Sequence, residues 1–184
     1  MRLGLAAIGI VIGLAAVGGA NAAVTVIGGG LAEDCSKAAL RGRSDRDSIE
    51  ACNLALSTEI LDSRDKAGTF INRGVMRMRT RDFNAAHSDF DSAIAIAPRI
   101  GEGWVNRGAV LIAEKHYQEG LTDINRGLDL GVVEPEKAYY NRALAYEALD
   151  DAKSAYLDYQ QAVSLKPNWL LPQQQLLRFT VTHR

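Results

Sequence analysis

The chain has 184 residues, a formal net charge of −1 and a hydrophobic fraction of 47%, which is sufficient for one globular domain with its own core. Basic and acidic residues are interspersed, without a basic stripe or an acidic tail, so the composition gives no reason to expect a nucleic-acid partner. Two cysteines are too few for a disulfide scaffold, and their role depends on the compartment.

The first residues are typical of a secretory signal peptide. Arg2 is the only charged residue before Glu33, and an apolar run extends from Leu3 to Val17. A short positive start, an apolar core and an A-x-A site, here Ala20-Asn21-Ala22, define such a peptide. The alternative is an uncleaved membrane anchor, but the run is shorter than the ~20 residues of a spanning helix. We therefore predict a signal peptide at 1–22, membrane contact only before its cleavage, and a periplasmic or secreted protein.

Residues 23–33 are predicted to be a flexible N-terminus. Val24 to Gly30 looks like a strand that enters a nucleotide-binding loop, but Glu33 stands where the last glycine is required and no βαβ pattern follows.

Residues 34–66 are predicted to be a truncated helix pair that caps the N-terminal end of the fold. Its first helix runs from Cys35 to Arg41, and the second carries Cys52. In an exported protein these two cysteines should form a disulfide. The alternative is two small buried apolar side chains.

A sequence pattern then recurs three times. Phe70-Ile-Asn-Arg-Gly returns 34 residues later as Trp104-Val-Asn-Arg-Gly and 35 residues after that as Tyr139-Tyr-Asn-Arg-Ala. Each copy is followed in phase by a small residue and a larger apolar one, such as Ala86-x3-Phe90. A fixed period near 34 predicts an array of helix–turn–helix units. The first helices are predicted at 68–80, 102–114 and 137–149, and the second helices at 84–97, 118–130 and 153–166.

These three units, 67–100, 101–134 and 136–169, resemble the tetratricopeptide repeat family. The family's leucine is arginine in all three units, and its closing proline is missing from the middle one. The resemblance implies an all-α fold: a right-handed α-solenoid of three helix pairs, with the N-terminal cap and a C-terminal capping helix and tail at 170–184. It is silent on the partner, because a fold does not define a function.

The replacement arginines come with acidic residues at a constant spacing. Each is followed 16 residues later by an aspartate, which lies on the partner helix at matching height. We predict a structural ion pair inside each repeat, of the bidentate kind that arginine forms with carboxylates. An alternative is that the arginines bind an anionic ligand. The pairs are Arg73 with Asp89, Arg107 with Asp123, and Arg142 with Asp158.

The concave face of the first helices is predicted to be the partner-binding groove. Some family members clamp a peptide's terminal carboxylate there with lysine and asparagine, but here only one recurrent asparagine position and one lysine match. The remaining positions form an apolar strip, which marks an interaction site if it is open to water. Its occupant is either a partner segment or the chain's own N-terminus around Val24 to Ile27. The predicted groove residues are Ile71, Asn72, Val75, Met78, Val105, Asn106, Ala109, Ile112, Lys137, Tyr140, Asn141 and Leu144.

The sequence contains no catalytic signature. There is no nucleophile elbow or phosphate loop, and the three histidines share no metal-ligand spacing. We therefore predict no enzyme activity, no cofactor and no metal. The predicted function is a non-catalytic protein–protein interaction or scaffold module in the bacterial periplasm. The alternative is a structural or self-assembly component of an envelope complex that uses surfaces outside the groove.

Overall fold

The structure is a computed structural model that describes residues 2–5, 21–26 and 30–182. Most of the predicted signal peptide, residues 6–20, lies outside the described residues. Within those ranges every element except two short strands is an α-helix, which confirms the predicted all-α class. The elements are β1 (Arg2–Leu5), α1 (Leu31–Leu40), α2 (Arg46–Thr58), α3 (Ser63–Arg79), α4 (Phe83–Ile96), α5 (Gly101–Ala113), α6 (Tyr117–Leu130), α7 (Pro135–Ala148), α8 (Ala152–Leu165), α9 (Leu170–Leu176) and β2 (Phe179–Thr182).

Helices α3 to α8 form three helix pairs at the places of the three predicted units. Each first helix packs on its second helix, and α4 and α6 pack on the first helix of the next pair. The turn inside each pair contains one residue with positive φ, at Arg81 (66°), Lys115 (69°) and Asp150 (59°). The next N–H then donates to the carbonyl five residues earlier, as in a Schellman motif. The same C-terminal motif therefore ends the first helix of all three repeats.

Two glycines allow α5 and α6 to approach each other closely. A Cβ on Gly108 would lie 2.8 Å from the carbonyl oxygen of Gly120, and a Cβ on Gly120 would lie 2.9 Å from the carbonyl oxygen of Gly108. Real Cβ atoms essentially never come this near a neighbour, and backbone cannot move aside as a flexible side chain does. Both positions therefore require glycine at this helix spacing.

Replacing Gly108 with valine is expected to lower the free energy of unfolding by about 1–3 kcal/mol, because the added carbons overpack the α5–α6 contact. Urea denaturation monitored by circular dichroism measures the loss. Thr122→Val is the control, because it places the same side chain on the exposed face of α6 and should change stability by less than about 0.5 kcal/mol. A Gly108→Val variant as stable as the parent would contradict the close approach.

Helices α1 and α2 form the N-terminal pair, and a disulfide joins them. Cys35 on α1 and Cys52 on α2 are both fully buried, with their Cα atoms 4.9 Å apart. They share a small hydrophobic cluster with Met76 of α3. The pair is thus attached to the first repeat through an apolar contact as well as through the chain.

Helix α1 begins at Leu31, four residues before the predicted start. The carboxylate of Glu59, just after α2, accepts the N–H groups of Leu31 and Ala32 at 2.6 and 3.0 Å. It thereby satisfies N–H groups that a helix N-terminus leaves without partners. The expectation of a flexible chain at residues 23–33 is therefore wrong for 31–33, which are helical, and for 23–26, whose contacts follow below.

The C-terminal end of the array is covered by α9 and by the residues after it. The Trp169 ring packs on Tyr140 with centroids 5.0 Å apart, and Phe179 packs on Tyr156 and Tyr159. These aromatic contacts bury the end of the third repeat, which would otherwise face water.

The capping helix is shorter than the sequence suggested. It ends at Leu176, and Leu177, which was expected to cover the third repeat, is 87% exposed. Arg178 instead turns back and donates hydrogen bonds of 3.0 and 3.2 Å to the buried carboxylate of Glu147 on α7. Burial raises the pKa of Glu147 above its ordinary value, although Arg178 opposes that shift.

Strand β2 follows and pairs antiparallel with β1, from Leu5 opposite Phe179 to Arg2 opposite Thr182. The first residues of the predicted signal peptide therefore meet the C-terminal end of the chain. Of the helices the structure describes, none combines the length and the apolar character that crossing a membrane would need.

Candidate functional site

The groove lies on the face formed by the first helices of each pair, α1, α3, α5 and α7. The expectation of an apolar strip open to solvent is wrong. All eight apolar side chains of that strip are buried in the core, because the same positions pack against neighbouring helices of the array. They are Ile71, Val75, Met78, Val105, Ala109, Ile112, Tyr140 and Leu144.

The chain's own residues 21–26, here called the groove segment, lie across this face. The Ala22 N–H donates to Oδ1 of Asn106 at 3.0 Å, and Nδ2 of Asn106 donates to the Ala22 carbonyl at 2.7 Å. Val24 makes the same two hydrogen bonds with Asn72, both at 2.8 Å. Each asparagine thus binds the N–H and the carbonyl of one residue, and we call this arrangement a bracket.

The brackets occur at every second residue of the groove segment and at the same position of successive repeats. Asn72 and Asn106 are both fully buried, as is Asn141 at the equivalent position of α7. A buried amide needs hydrogen-bond partners, and a backbone supplies one donor and one acceptor per residue. The recurrent asparagine is therefore suited to holding an extended peptide regardless of its side chains.

Helix α1 covers the other side of the groove segment. The hydroxyl of Ser36 accepts the Val26 N–H at 3.1 Å and donates to the Val24 carbonyl at 3.0 Å. Opposite, Gly68 of α3 leaves room for Val24 and Val26, since a Cβ there would lie 3.0 Å from Cγ2 of Val26. The groove segment is thus held between α1 and α3.

Side chains along the groove segment differ in their environment. Ala22 is 1% exposed and Val26 is 4% exposed, whereas Thr25 points to solvent. Ala23 packs against the cluster around the disulfide. The groove therefore encloses alternate side chains, and at Ala22 it encloses a small one.

The remaining part of the groove is a cavity of about 1170 Å³ beside the groove segment. Nζ of Lys137 reaches the Asn21 carbonyl at 2.9 Å and also pairs with Glu134. Three arginines line the cavity as well: Arg64, Arg79 and Arg99.

Arg79 is the most enclosed of these arginines. Its guanidinium donates to the Ala39 carbonyl at 2.9 Å, and no carboxylate lies within ion-pair distance of it among the described residues. Loss of water around the guanidinium lowers the pKa of Arg79, and the more distant Glu134 opposes that shift. The cavity wall at this point favours negative charge.

The structure contains all three Arg–Asp pairs inside the repeats. Nε and Nη2 of Arg107 donate to the two oxygens of Asp123 at 2.7 and 2.9 Å. Arg142 binds Asp158 in the same way at 2.7 and 2.8 Å. These hydrogen bonds raise the pKa of both arginines above the ordinary value, since each guanidinium is stabilised in its charged form.

In the first repeat the aspartate serves two arginines. Arg73 donates to Asp89 through Nε at 3.1 Å and through Nη2 at 2.6 Å, and Nη1 of Arg77 donates to the same carboxylate at 2.8 Å. Asp89 is only 2% exposed. Its charge is therefore neutralised almost entirely by these two side chains.

Each arginine also reaches the preceding helix pair, which sequence reasoning missed. Nη1 of Arg107 donates to Asp91 of α4 at 2.7 Å, and the other two arginines bind Asn53 of α2 and Asn125 of α6. The guanidinium of Arg107 also lies 5.0 Å from the ring centroid of Trp104. Asp91 stands 16 residues before Arg107, as Asp123 stands 16 after it, and this symmetry was the available signal.

No catalytic arrangement accompanies the groove. Among the described residues, no three of the metal-binding side chains His, Cys, Asp and Glu cluster in a way that could hold a metal ion. The buried carboxylate of Asp89 is neutralised by its arginines, and Asp91 is exposed and bound to Arg107.

Comparison with known proteins agrees with this architecture. Residues 136–168 match the family model described as tetratricopeptide repeat. No curated relative of the sequence was found. MamA 41-end from Desulfovibrio magneticus RS-1 has a TM-score of 0.62 at 21% identity and covers 80% of this chain and 82% of that chain.

Two further solved structures are described by their peptides. The first tetratricopeptide domain of Spaghetti (RPAP3), bound to the HSP90 peptide SRMEEVD, has a TM-score of 0.58 at 22% identity and covers 65% of this chain and 94% of that chain. YrrB, a tetratricopeptide protein with an unusual peptide-binding site, has a TM-score of 0.60 at 14% identity, with 79% and 72% covered. Likeness at these identities shows the fold. Together with the family match in the third repeat, it identifies this chain as a tetratricopeptide repeat protein.

Proposed function

We propose that this chain is a non-catalytic interaction module of the bacterial periplasm whose groove binds an extended segment of a partner protein. The brackets carry the proposal: Asn72 and Asn106 each bind both backbone groups of one residue in an extended strand. The groove segment occupies the place of that partner and serves as a template for it.

The energetics of the brackets favour an occupied groove. If the groove segment leaves, two buried amides lose their partners, and each unsatisfied polar group costs about 1–3 kcal/mol. A partner backbone in the same place restores these hydrogen bonds. Because only backbone groups are bound, the groove accepts many sequences, and the enclosed alternate side chains supply what selectivity there is.

The periplasmic location is supported by two observations. Arg2, the apolar run and Ala20-Asn21-Ala22 form a signal-peptide pattern. Cys35 and Cys52 form a disulfide, which persists in oxidising compartments and is rare in the cytosol. Mass spectrometry of the exported protein tests this, and retention of Met1 or Arg2 in a membrane fraction would contradict it.

The peptide titles of two structural neighbours are in line with a peptide-binding role. The alternative function is assembly, in which surfaces outside the groove pack against copies of the chain or against an envelope complex. Light scattering separates the two, because self-assembly raises the mass of the purified protein without any partner.

Removing residues 1–30 is expected to increase partner recovery, because the groove segment competes for the brackets. Chemical crosslinking in the native envelope followed by pull-down measures it. In the shortened chain, Asn72→Ala combined with Asn106→Ala should lower recovery about tenfold or more, since four hydrogen bonds are lost. Asn125→Ala is the matched control, an exposed asparagine on α6 that binds Arg142.

Unchanged recovery with the double variant, at unchanged helical content, would place the binding surface outside the groove. That result would favour the assembly role.

A further inference from the structure

The predicted export cleavage position lies inside the groove. Ala22, the last residue of the predicted signal peptide, is held by the Asn106 bracket, and Val24 is held by the Asn72 bracket. The peptide bond between Ala22 and Ala23 therefore lies between the two brackets.

We propose that cleavage after Ala22 opens the half of the groove at Asn106 and Lys137, and that this half then binds the C-terminal end of a partner's extended segment. The inference rests on the proposed function and names the partner's chemistry. Hydrolysis of the Ala22–Ala23 bond by a signal peptidase, with water, leaves a carboxylate on Ala22 and an ammonium on Ala23.

The two halves of the groove segment are held independently after that cut. On the Ala23 side, Val24 keeps its bracket on Asn72, and Val26 keeps the hydroxyl of Ser36. On the other side, Asn106 loses both its backbone partners, and Lys137 loses the Asn21 carbonyl. Only the second half of the groove is vacated.

The vacated half defines what it binds. A chain that lies there in the direction of the original segment must end on Asn106, because Ala23 to Val26 fill the path beyond it. Its terminal carboxylate then lies beside the ammonium of Ala23, where opposite charges attract. Ala22 is 1% exposed, so the last residue of the ligand must be small. The ligand is therefore an extended C-terminal segment that ends in alanine or glycine with a free carboxylate.

The test compares the exported product of the full chain with the 184-residue chain produced without export. The probe is acetyl-Val-Gly-Gly-Ala-Asn-Ala, the sequence of residues 17–22, and titration calorimetry measures its binding. The exported product should begin at Ala23 and bind the probe about tenfold or more tightly than the uncleaved chain, which fills its own groove. Asn106→Ala should remove this binding, and Asn125→Ala should leave it intact.

Two altered probes test the ligand chemistry without changing the protein. The C-terminal amide lacks the charge opposite the Ala23 ammonium, and a probe ending in leucine does not fit the enclosed site. Each should bind about tenfold more weakly than the parent probe.

Three results would overturn the proposal: an exported product that retains Ala22, equal binding by cleaved and uncleaved chains, or equal binding of the acid and the amide. Capture of a partner that depends on Asn72 and Asn106 would still support the proposed function in those cases, so the two failures are distinguishable.

Discussion

Replacing Asp89 with alanine is expected to lower the free energy of unfolding by about 3–5 kcal/mol, because removal of one partner leaves uncompensated charge in the interior. The carboxylate is 2% exposed and accepts hydrogen bonds from both Arg73 and Arg77. Without it, Arg73 keeps a neutral partner, the side-chain oxygen of Asn53. Urea denaturation with a circular dichroism signal measures the change.

Asp123→Ala is the matched control in the second repeat. It removes the corresponding carboxylate, but Arg107 keeps Asp91 as a charged partner at 2.7 Å. Since Asp91 is well exposed, that remaining pair is worth about 0–1 kcal/mol, yet it leaves the guanidinium compensated. The loss should therefore be clearly smaller than for Asp89→Ala.

A rescue variant separates stranded charge from lost packing. Changing Asp89, Arg73 and Arg77 together to leucine removes all three charges, and the second repeat already has leucine at Leu111, the position equivalent to Arg77. Replacing a buried ion pair by apolar residues is often neutral, so this variant should recover much of the stability. Equal losses for the Asp89 and Asp123 variants, with no recovery in the triple variant, would show that the shared carboxylate has no special role.

The array itself was predictable from the sequence because its signal is repeated. The motif around Trp104 occurs three times with constant phase, so weak local preferences add up to a definite helix–turn–helix assignment. Boundaries were less predictable. Helix α3 begins at Ser63, five residues before the predicted start, because the Asp62 side chain caps it by accepting the Asp65 N–H.

The state of the groove could not be read from periodicity. The repeat assigns Val105 and Asn106 to the groove side of α5, but it does not say what covers that side. The contact that decides it joins Ala22 to Asn106, 84 residues apart in the sequence. The chain's own N-terminus was one of two predicted occupants, and the asparagine brackets that hold it were not predicted.

The charge pattern was partly predictable for a related reason. A spacing of 16 residues between Arg107 and Asp123 reflects the height of two helices joined by a short turn, which the repeat period fixes. The contact from Arg107 to Asp91 depends on how one repeat packs on the previous one. That geometry is tertiary, and a spacing within one repeat does not contain it.

Removing the disulfide is the second change with a large expected effect. Replacing Cys35 and Cys52 together with alanine should lower the free energy of unfolding by about 3 kcal/mol, the loop-closure entropy of a cross-link across 17 residues. The loss should be concentrated at the N-terminal pair, because the bond joins α1 to α2. Helix α1 also presents Ser36 to the groove segment, so loosening α1 should loosen the segment.

Hydrogen exchange on the full chain resolves this local effect. In the double alanine variant, the N–H of Val26, which binds Ser36 on α1, should exchange faster than in the parent. The N–H of Val24 binds Asn72 on α3 and should change less, so it serves as an internal reference. Reducing agent should destabilise the parent and leave the variant unaffected. Equal urea midpoints for parent and variant, with unchanged exchange at Val26, would show that packing around Met76 alone holds α1 in place and that the covalent bond adds nothing to the groove.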